Sequence, residues 1–111
     1  ERLAKRAFMG LAKTGGIASN GSGDYVIAFS TYPGNRIAHS PKKSVQPLQN
    51  LANDAMSPLF MAAIEATEEA ILNSLFMAQT MKGYKGRTVE SIPLDKLKKL
   101  LEDNNKIPKQ P

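Results

Sequence analysis

The chain has 111 residues, 41% hydrophobic and 23% charged, enough for one domain or part of one with a modest core. It has no cysteine and one histidine, His39, which excludes disulfides, thiolate metal sites, a cysteine nucleophile and a histidine-rich metal site. A net charge of +5 raises the question of nucleic acid, but the basic residues are spread over both ends and cluster only at Lys42-Lys43 and at Lys96, Lys98 and Lys99.

No aromatics are interleaved among those clusters and no recognition motif appears, so the expected reading is a basic solvated surface with no nucleic-acid partner. No apolar run is long enough to span a membrane, and no signal pattern opens the chain, so neither a membrane partner nor export is expected and the location is read as cytoplasmic. Glu1 stands where a methionine would begin a gene product, and an amphipathic pattern starts at once. A processed product or an excised piece is expected.

Leu3, Ala4, Ala7, Phe8, Leu11 and Ala12 recur at three-and-four spacing, which predicts a helix over about residues 1–14 that stops at Gly15-Gly16. Residues 15–23, GGIASNGSG, form a turn rich in positions that tolerate positive φ. The β-formers that follow predict a strand over about 24–31, and the apolar run Val26 to Phe29 suggests cover on both faces. Pro33-Gly34 ends it. Residues 32–56 show no clear period and are expected to be a loop that is functional, mobile or packed on a partner chain, with any short strand near Arg36 to Ala38. His39, in this stretch, is expected to be a solvated loop residue.

A long helix is predicted over about 57–82, with Ser57 as N-cap, Pro58 at the first helical position and Gly83 at its end. Met56, Met61, Met77 and Met81 are read as core filler. Glu65, Glu68 and Glu69 are read as a salt-bridged surface, because like charges one turn apart repel unless compensated. A last helix is predicted over about 93–102, where Leu94, Leu97, Leu100 and Leu101 share a face, and the tail 103–111 is expected to fray. One clear strand cannot make a sheet, since its backbone groups need neighbours. The sequence therefore reads as part of a larger α/β protein.

Ser22 and Asp24 stand two residues apart at the mouth of the predicted strand, a spacing that puts both side chains on one face. A hydroxyl beside a carboxylate can orient a nucleophile or an amine; the same pair can also merely satisfy local amides in a turn. No Ser/His/Asp triad can be assembled.

The stretch "NGSGDYVIAFST", with "SPLFMAAIEATEEAILNSLFMAQTMKGYKGRTVESIPLDKL" after it and "LAKRAFMGLAKTG" before it, resembles the C-terminal part of the DmpA-type aminopeptidases. That family includes L-aminopeptidase/D-esterase and D-aminopeptidase enzymes, with β-peptidyl aminopeptidases and nylon-oligomer hydrolases as relatives. The resemblance runs over about residues 1–102 and carries little in the loop 32–54. It implies an α/β fold that is part of a four-layer αββα sandwich, similar to N-terminal-nucleophile hydrolases. It implies a self-processed serine aminopeptidase, free of metal and cofactor, that acts through an acyl-enzyme on small peptides, amides or esters. Ser22 and Asp24 correspond to the family's hydroxyl-plus-acid pair beside the nucleophile, with glutamate for Asp24 or aspartate for Ser22 in some relatives. Asn20, Gly21 and Gly23 correspond to the turn that presents the pair and are expected at the substrate. The nucleophile has no counterpart here, so the chain alone is expected to be inactive. Its expected partners are the upstream part of its own precursor and further copies in a homo-oligomer. Two alternatives remain from the sequence: acyl transfer, as in the similarly built ornithine acetyltransferases, and a non-catalytic basic interaction module.

Overall fold

The computed structural model describes residues 1–108; residues 109–111, the end of the tail expected to fray, lie outside the described residues. It contains three α-helices and one two-stranded sheet, a small α/β arrangement: α1 Arg2–Lys13, α2 Ser57–Phe76, β1 Met81–Lys82, β2 Thr88–Val89 and α3 Leu94–Asp103. The chain divides into two units, Glu1–Glu68 and Glu69–Pro111.

In the first unit, α1 ends in a glycine cap. Gly16 N–H donates to the Leu11 carbonyl at 3.1 Å and Gly15 N–H to the Ala12 carbonyl at 3.0 Å, with Gly15 at φ +92°. This pair of bonds closes a Schellman motif, which needs a left-handed residue where Gly15 stands. Gly15→Ala is expected to lower stability by about 1 kcal/mol through the left-handed penalty. A chemical-denaturation midpoint on the complete protein checks this, and an unchanged midpoint would contradict it.

α1 meets the first part of α2 at Gly10, the one buried residue among those described. A Cβ there would lie 2.6 Å from the Ile64 carbonyl oxygen and 2.7 Å from Thr67 Cβ, so only a glycine lets the two backbones come this close. Around that crossing, Lys13 pairs with Glu68. The guanidinium carbons of Arg2 and Arg6 lie 4.9 Å and 4.0 Å from the centre of the Phe60 ring. Arg2 also donates to Asn53 Oδ1 at 2.8 Å. Of the three glutamates read as a salt-bridged surface, Glu68 has a cation; Glu65 and Glu69 have none among the described residues.

Several boundaries differ from those expected. α2 begins at Ser57 itself, because the Met56 carbonyl accepts the first bond, from Phe60 N–H at 3.0 Å; Ser57 is inside the helix rather than capping it. α2 stops at Phe76 and not near 82, because Met81 and Lys82 pair instead with Val89 and Thr88. The hairpin competes for residues whose apolar spacing continues the helical pattern. No strand forms at Arg36 to Ala38, and the segment 24–31 has no ladder partner among the described residues.

The expected doubly covered strand shows an alternation instead. Val26 is 37% exposed, while Tyr25, Ile27 and Phe29 on the opposite side are 91%, 87% and 83% exposed. Successive side chains of an extended segment point to opposite sides, and Val26 lies on the less exposed of the two, although all of 24–31 is exposed. The expected core filler is not in a core either: Met61, Met77 and Met81 are 56%, 80% and 69% exposed. No hydrophobic residue is fully buried among those described. The accessible surface is 10104 Å², against about 6,000 Å² for a self-contained globular chain of this mass.

In the second unit, the hairpin turns through Tyr84-Lys85-Gly86-Arg87, with Lys85 at φ 58° and Gly86 at φ 73°. The register Lys82↔Thr88 and the bond between Gly83 and Arg87 leave a three-residue connection, Tyr84-Lys85-Gly86, in which two consecutive left-handed residues reverse the chain. Gly83 N–H donates to the Arg87 carbonyl at 2.7 Å, and the Thr80 hydroxyl accepts from Ser91 N–H at 3.2 Å below it. Lysine is a costly residue at the first of those positions. Lys85→Asn is expected to stabilise the complete protein by about 0.5–1 kcal/mol, read as a higher denaturation midpoint; a lower midpoint would show that Lys85 has a further role.

α3 starts directly after Pro93, whose carbonyl accepts from Leu97 N–H at 3.0 Å. It ends in a second Schellman motif: Lys106 N–H reaches the Leu101 carbonyl at 2.8 Å and Asn105 N–H the Glu102 carbonyl at 3.1 Å. Asn105 sits at φ 55°, the left-handed position that asparagine tolerates best after glycine. These bonds tie Asn105 and Lys106 back to α3, beyond residue 103 where the tail was expected to begin.

Candidate active site

The turn that follows α1 is built from residues that can take positive φ. Ser22 N–H donates to the Ser19 carbonyl at 2.8 Å, closing the four-residue turn Ser19-Asn20-Gly21-Ser22. Gly21 holds φ +93° while Asn20 does not have positive φ, the type II pattern that calls for glycine at the third position. Ala18 also lies in the left-handed region, at φ 46°, so the approach to the turn carries some backbone strain.

The turn delivers Ser22 and Asp24 to the same side. The Ser22 hydroxyl donates to Asp24 Oδ2 in a short contact between two exposed side chains. Ser22 thus uses its proton on one carboxylate oxygen, and Oδ1 keeps all its acceptor capacity. The pair offers an orientated carboxylate to any donor brought against it, an ammonium or a hydroxyl in particular.

The other expected site residues divide. Gly21 is required by its backbone angle. Gly23 is not: a Cβ there would meet only Tyr25 Cε2 at 3.5 Å, an ordinary contact. Asn20 occupies the second position of the turn, and its side chain has no hydrogen-bond partner among the described residues. His39 is exposed in the loop. No group of three or more His, Cys, Asp or Glu side chains that could hold a metal ion occurs among the described residues. No helix among them is long and apolar enough to cross a membrane.

Two features were not foreseen from the sequence. The hairpin at Met81–Val89 was marked by Gly83 and by the Lys85-Gly86 pair, a weak form of the Asn-Gly turn signal. The other is a clamp across the loop: Gln49 N–H donates to Asn35 Oδ1 and Asn35 Nδ2 donates to the Gln49 carbonyl, both at 2.9 Å, while the Tyr32 hydroxyl donates to Gln49 Oε1 at 3.0 Å. An asparagine pairing with both backbone groups of a distant residue leaves no local periodicity to read.

The model of peptidase family S58 matches residues 1–89. The chain is 41% identical over 102 residues to "Beta-peptidyl aminopeptidase BapA" of Sphingosinicella microcystinivorans, covering 92% of this chain and 25% of that protein. It is 32% identical to the protein of the same name from Sphingosinicella xenopeptidilytica, with the same coverage of 92% and 25%. It is also similar to a solved structure, that of the PH0078 protein from Pyrococcus horikoshii OT3. There the TM-score is 0.79 and the identity 46%, over 94% of this chain and 29% of that one. The chain spans about a quarter of the length of the curated relatives it matches.

Proposed function

This chain belongs to peptidase family S58, and from that premise we propose that it is the C-terminal part of a self-processed serine aminopeptidase, in which Ser22 and Asp24 assist a nucleophile carried elsewhere in the protein. The observation that carries the reading is the hydrogen bond from Ser22 to Asp24, presented by a glycine turn inside the matched residues. The relatives named as β-peptidyl aminopeptidases suggest the substrate: a small peptide, amide or ester with a free N-terminal amine.

The chemistry asked of the pair is modest. The nucleophile is a serine or threonine hydroxyl that attacks the scissile carbonyl, and its proton passes to a nearby amine and then to the leaving group. The carbon–nitrogen bond breaks, and water hydrolyses the resulting ester. Asp24 holds that amine through Oδ1 and stabilises positive charge as the proton moves. Ser22 fixes the carboxylate by occupying Oδ2. Both side chains are exposed in this chain, where water weakens such a charge; once the rest of the protein covers them, the same carboxylate acts in a lower dielectric.

The missing cover has a place to sit. The exposed face of Tyr25, Ile27 and Phe29 and the unpaired backbone of 24–31 suit a segment that adds strands beside it and packs a second layer above it. The four-layer αββα sandwich and the homo-oligomer implied by the family belong to this proposal. The 111-residue chain alone is expected to self-associate, and light scattering should return a mass above 12.1 kDa. A monomer that unfolds cooperatively would contradict that expectation. The functional test compares a β-alanyl p-nitroanilide with its N-acetylated form on the complete protein. Release of p-nitroaniline from the free amine alone supports an aminopeptidase; equal release from both would overturn it.

A further inference from the structure

The clamp at Asn35 and Gln49 turns the segment between them into a closed loop with an unusual charge. Three cations, Arg36, Lys42 and Lys43, lie in it, and no acidic residue occurs anywhere from residue 25 to residue 53. None of the three pairs with a carboxylate among the described residues. They line one hollow of about 270 Å³, together with the apolar side chains of Ala38, Val45 and Pro47. Like charges gathered on one loop repel, and salt or a partner must offset that repulsion.

The clamp is what makes the hollow more than a run of solvated lysines. Asn35 pairs with the N–H and the C=O of Gln49 as a neighbouring strand would, and Tyr32 holds the Gln49 side chain. Asn35 itself is half-buried. The loop's two ends are therefore fixed before any ligand arrives, and the ordering cost of bringing three cations together falls on folding instead of on binding. A planar guanidinium and two ammonium groups suit a small oxyanion, and the apolar wall suits a ligand with a short carbon body.

We propose that the loop 36–47 is a binding site for a small oxyanion, a phosphate or the carboxylate of a short peptide, separate from the Ser22–Asp24 pair. Arg36 follows Asp24 by an apolar extended run and a turn, and none of the three cations forms an ion pair with Asp24 among the described residues.

The test is calorimetric titration of the complete protein at low salt with three probes: inorganic phosphate, N-acetyl-dialanine with its free carboxylate, and the C-terminal amide of the same dipeptide. Saturable binding of phosphate, of the free carboxylate or of both, at a Kd of about 1 mM or tighter, is expected, and which of them binds identifies the source of the oxyanion. The amide should not bind. Changing Arg36, Lys42 and Lys43 together to glutamine should abolish binding. Asn35→Ala leaves every charge in place, yet it should weaken binding roughly tenfold by releasing the loop. Tyr32→Phe removes only the hydroxyl bond to Gln49 and should weaken binding less; it serves as the second variant where Asn35→Ala does not fold. Absence of saturable binding, equal binding of the amide, or full affinity after the clamp is broken would each overturn the proposal.

Discussion

Replacing Asp24 with asparagine in the complete protein is expected to lower kcat/KM by roughly 10²-fold or more with little change in melting temperature. The substitution keeps the shape of the side chain and one acceptor oxygen for the Ser22 hydroxyl, but it removes the charge that would hold an amine. Asp24→Glu should be milder, because the charge survives and only its reach changes. Ser22→Ala should cost less than Asp24→Asn, since in the proposed mechanism Ser22 acts only through the carboxylate it holds. A pair that served only the turn would behave differently: both changes would shift stability by about 0.5–2 kcal/mol, and turnover per folded molecule would stay constant. Measuring kcat/KM and melting temperature on the same samples separates the two. Normal turnover by folded Asp24→Asn protein would remove the carboxylate from the mechanism.

The second large effect is expected at Gly10. Glycine to alanine in the middle of an exposed helix usually stabilises by about 1 kcal/mol. Here the sign should reverse, because the new methyl would lie 2.6 Å from the Ile64 carbonyl oxygen, a backbone atom that cannot rotate away. Overpacking of this kind costs about 1–3 kcal/mol, and Gly10→Leu should exceed Gly10→Ala. Denaturant unfolding of the complete protein reads the loss. A stabilised Gly10→Ala variant would mean that α1 and α2 do not cross at this residue.

The helices were legible because their signals are local. The spacing of Leu3, Phe8 and Leu11 and the Gly15-Gly16 stop are read within a few residues of one another, and α1 is found over Arg2–Lys13. The turn that presents Ser22 was legible for the same reason, since Gly21 meets directly the positive φ that the turn demands. What depends on pairing between distant residues was not. Met81 fits a helical stripe as well as it fits a strand, and only Val89 across the hairpin decides between them. The Asn35–Gln49 clamp joins residues whose neighbours give no hint of each other. The apolar run at Val26 to Phe29 read as doubly covered, while here it is exposed; the sequence reports what the segment is suited to, and no surface that covers it occurs among the described residues. The methionines follow the same logic: Met61, Met77 and Met81 have the apolar character of core residues and are exposed among the described residues.

The most direct measurement is the rate of p-nitroaniline release from a β-alanyl p-nitroanilide by this 111-residue chain alone, by the remainder of the protein alone, and by the two polypeptides combined. In the proposed mechanism Ser22 and Asp24 assist a nucleophile carried by the remainder, so neither polypeptide should turn over substrate by itself and the combination should. Steady turnover by the 111-residue chain alone, surviving repurification, would contradict the account.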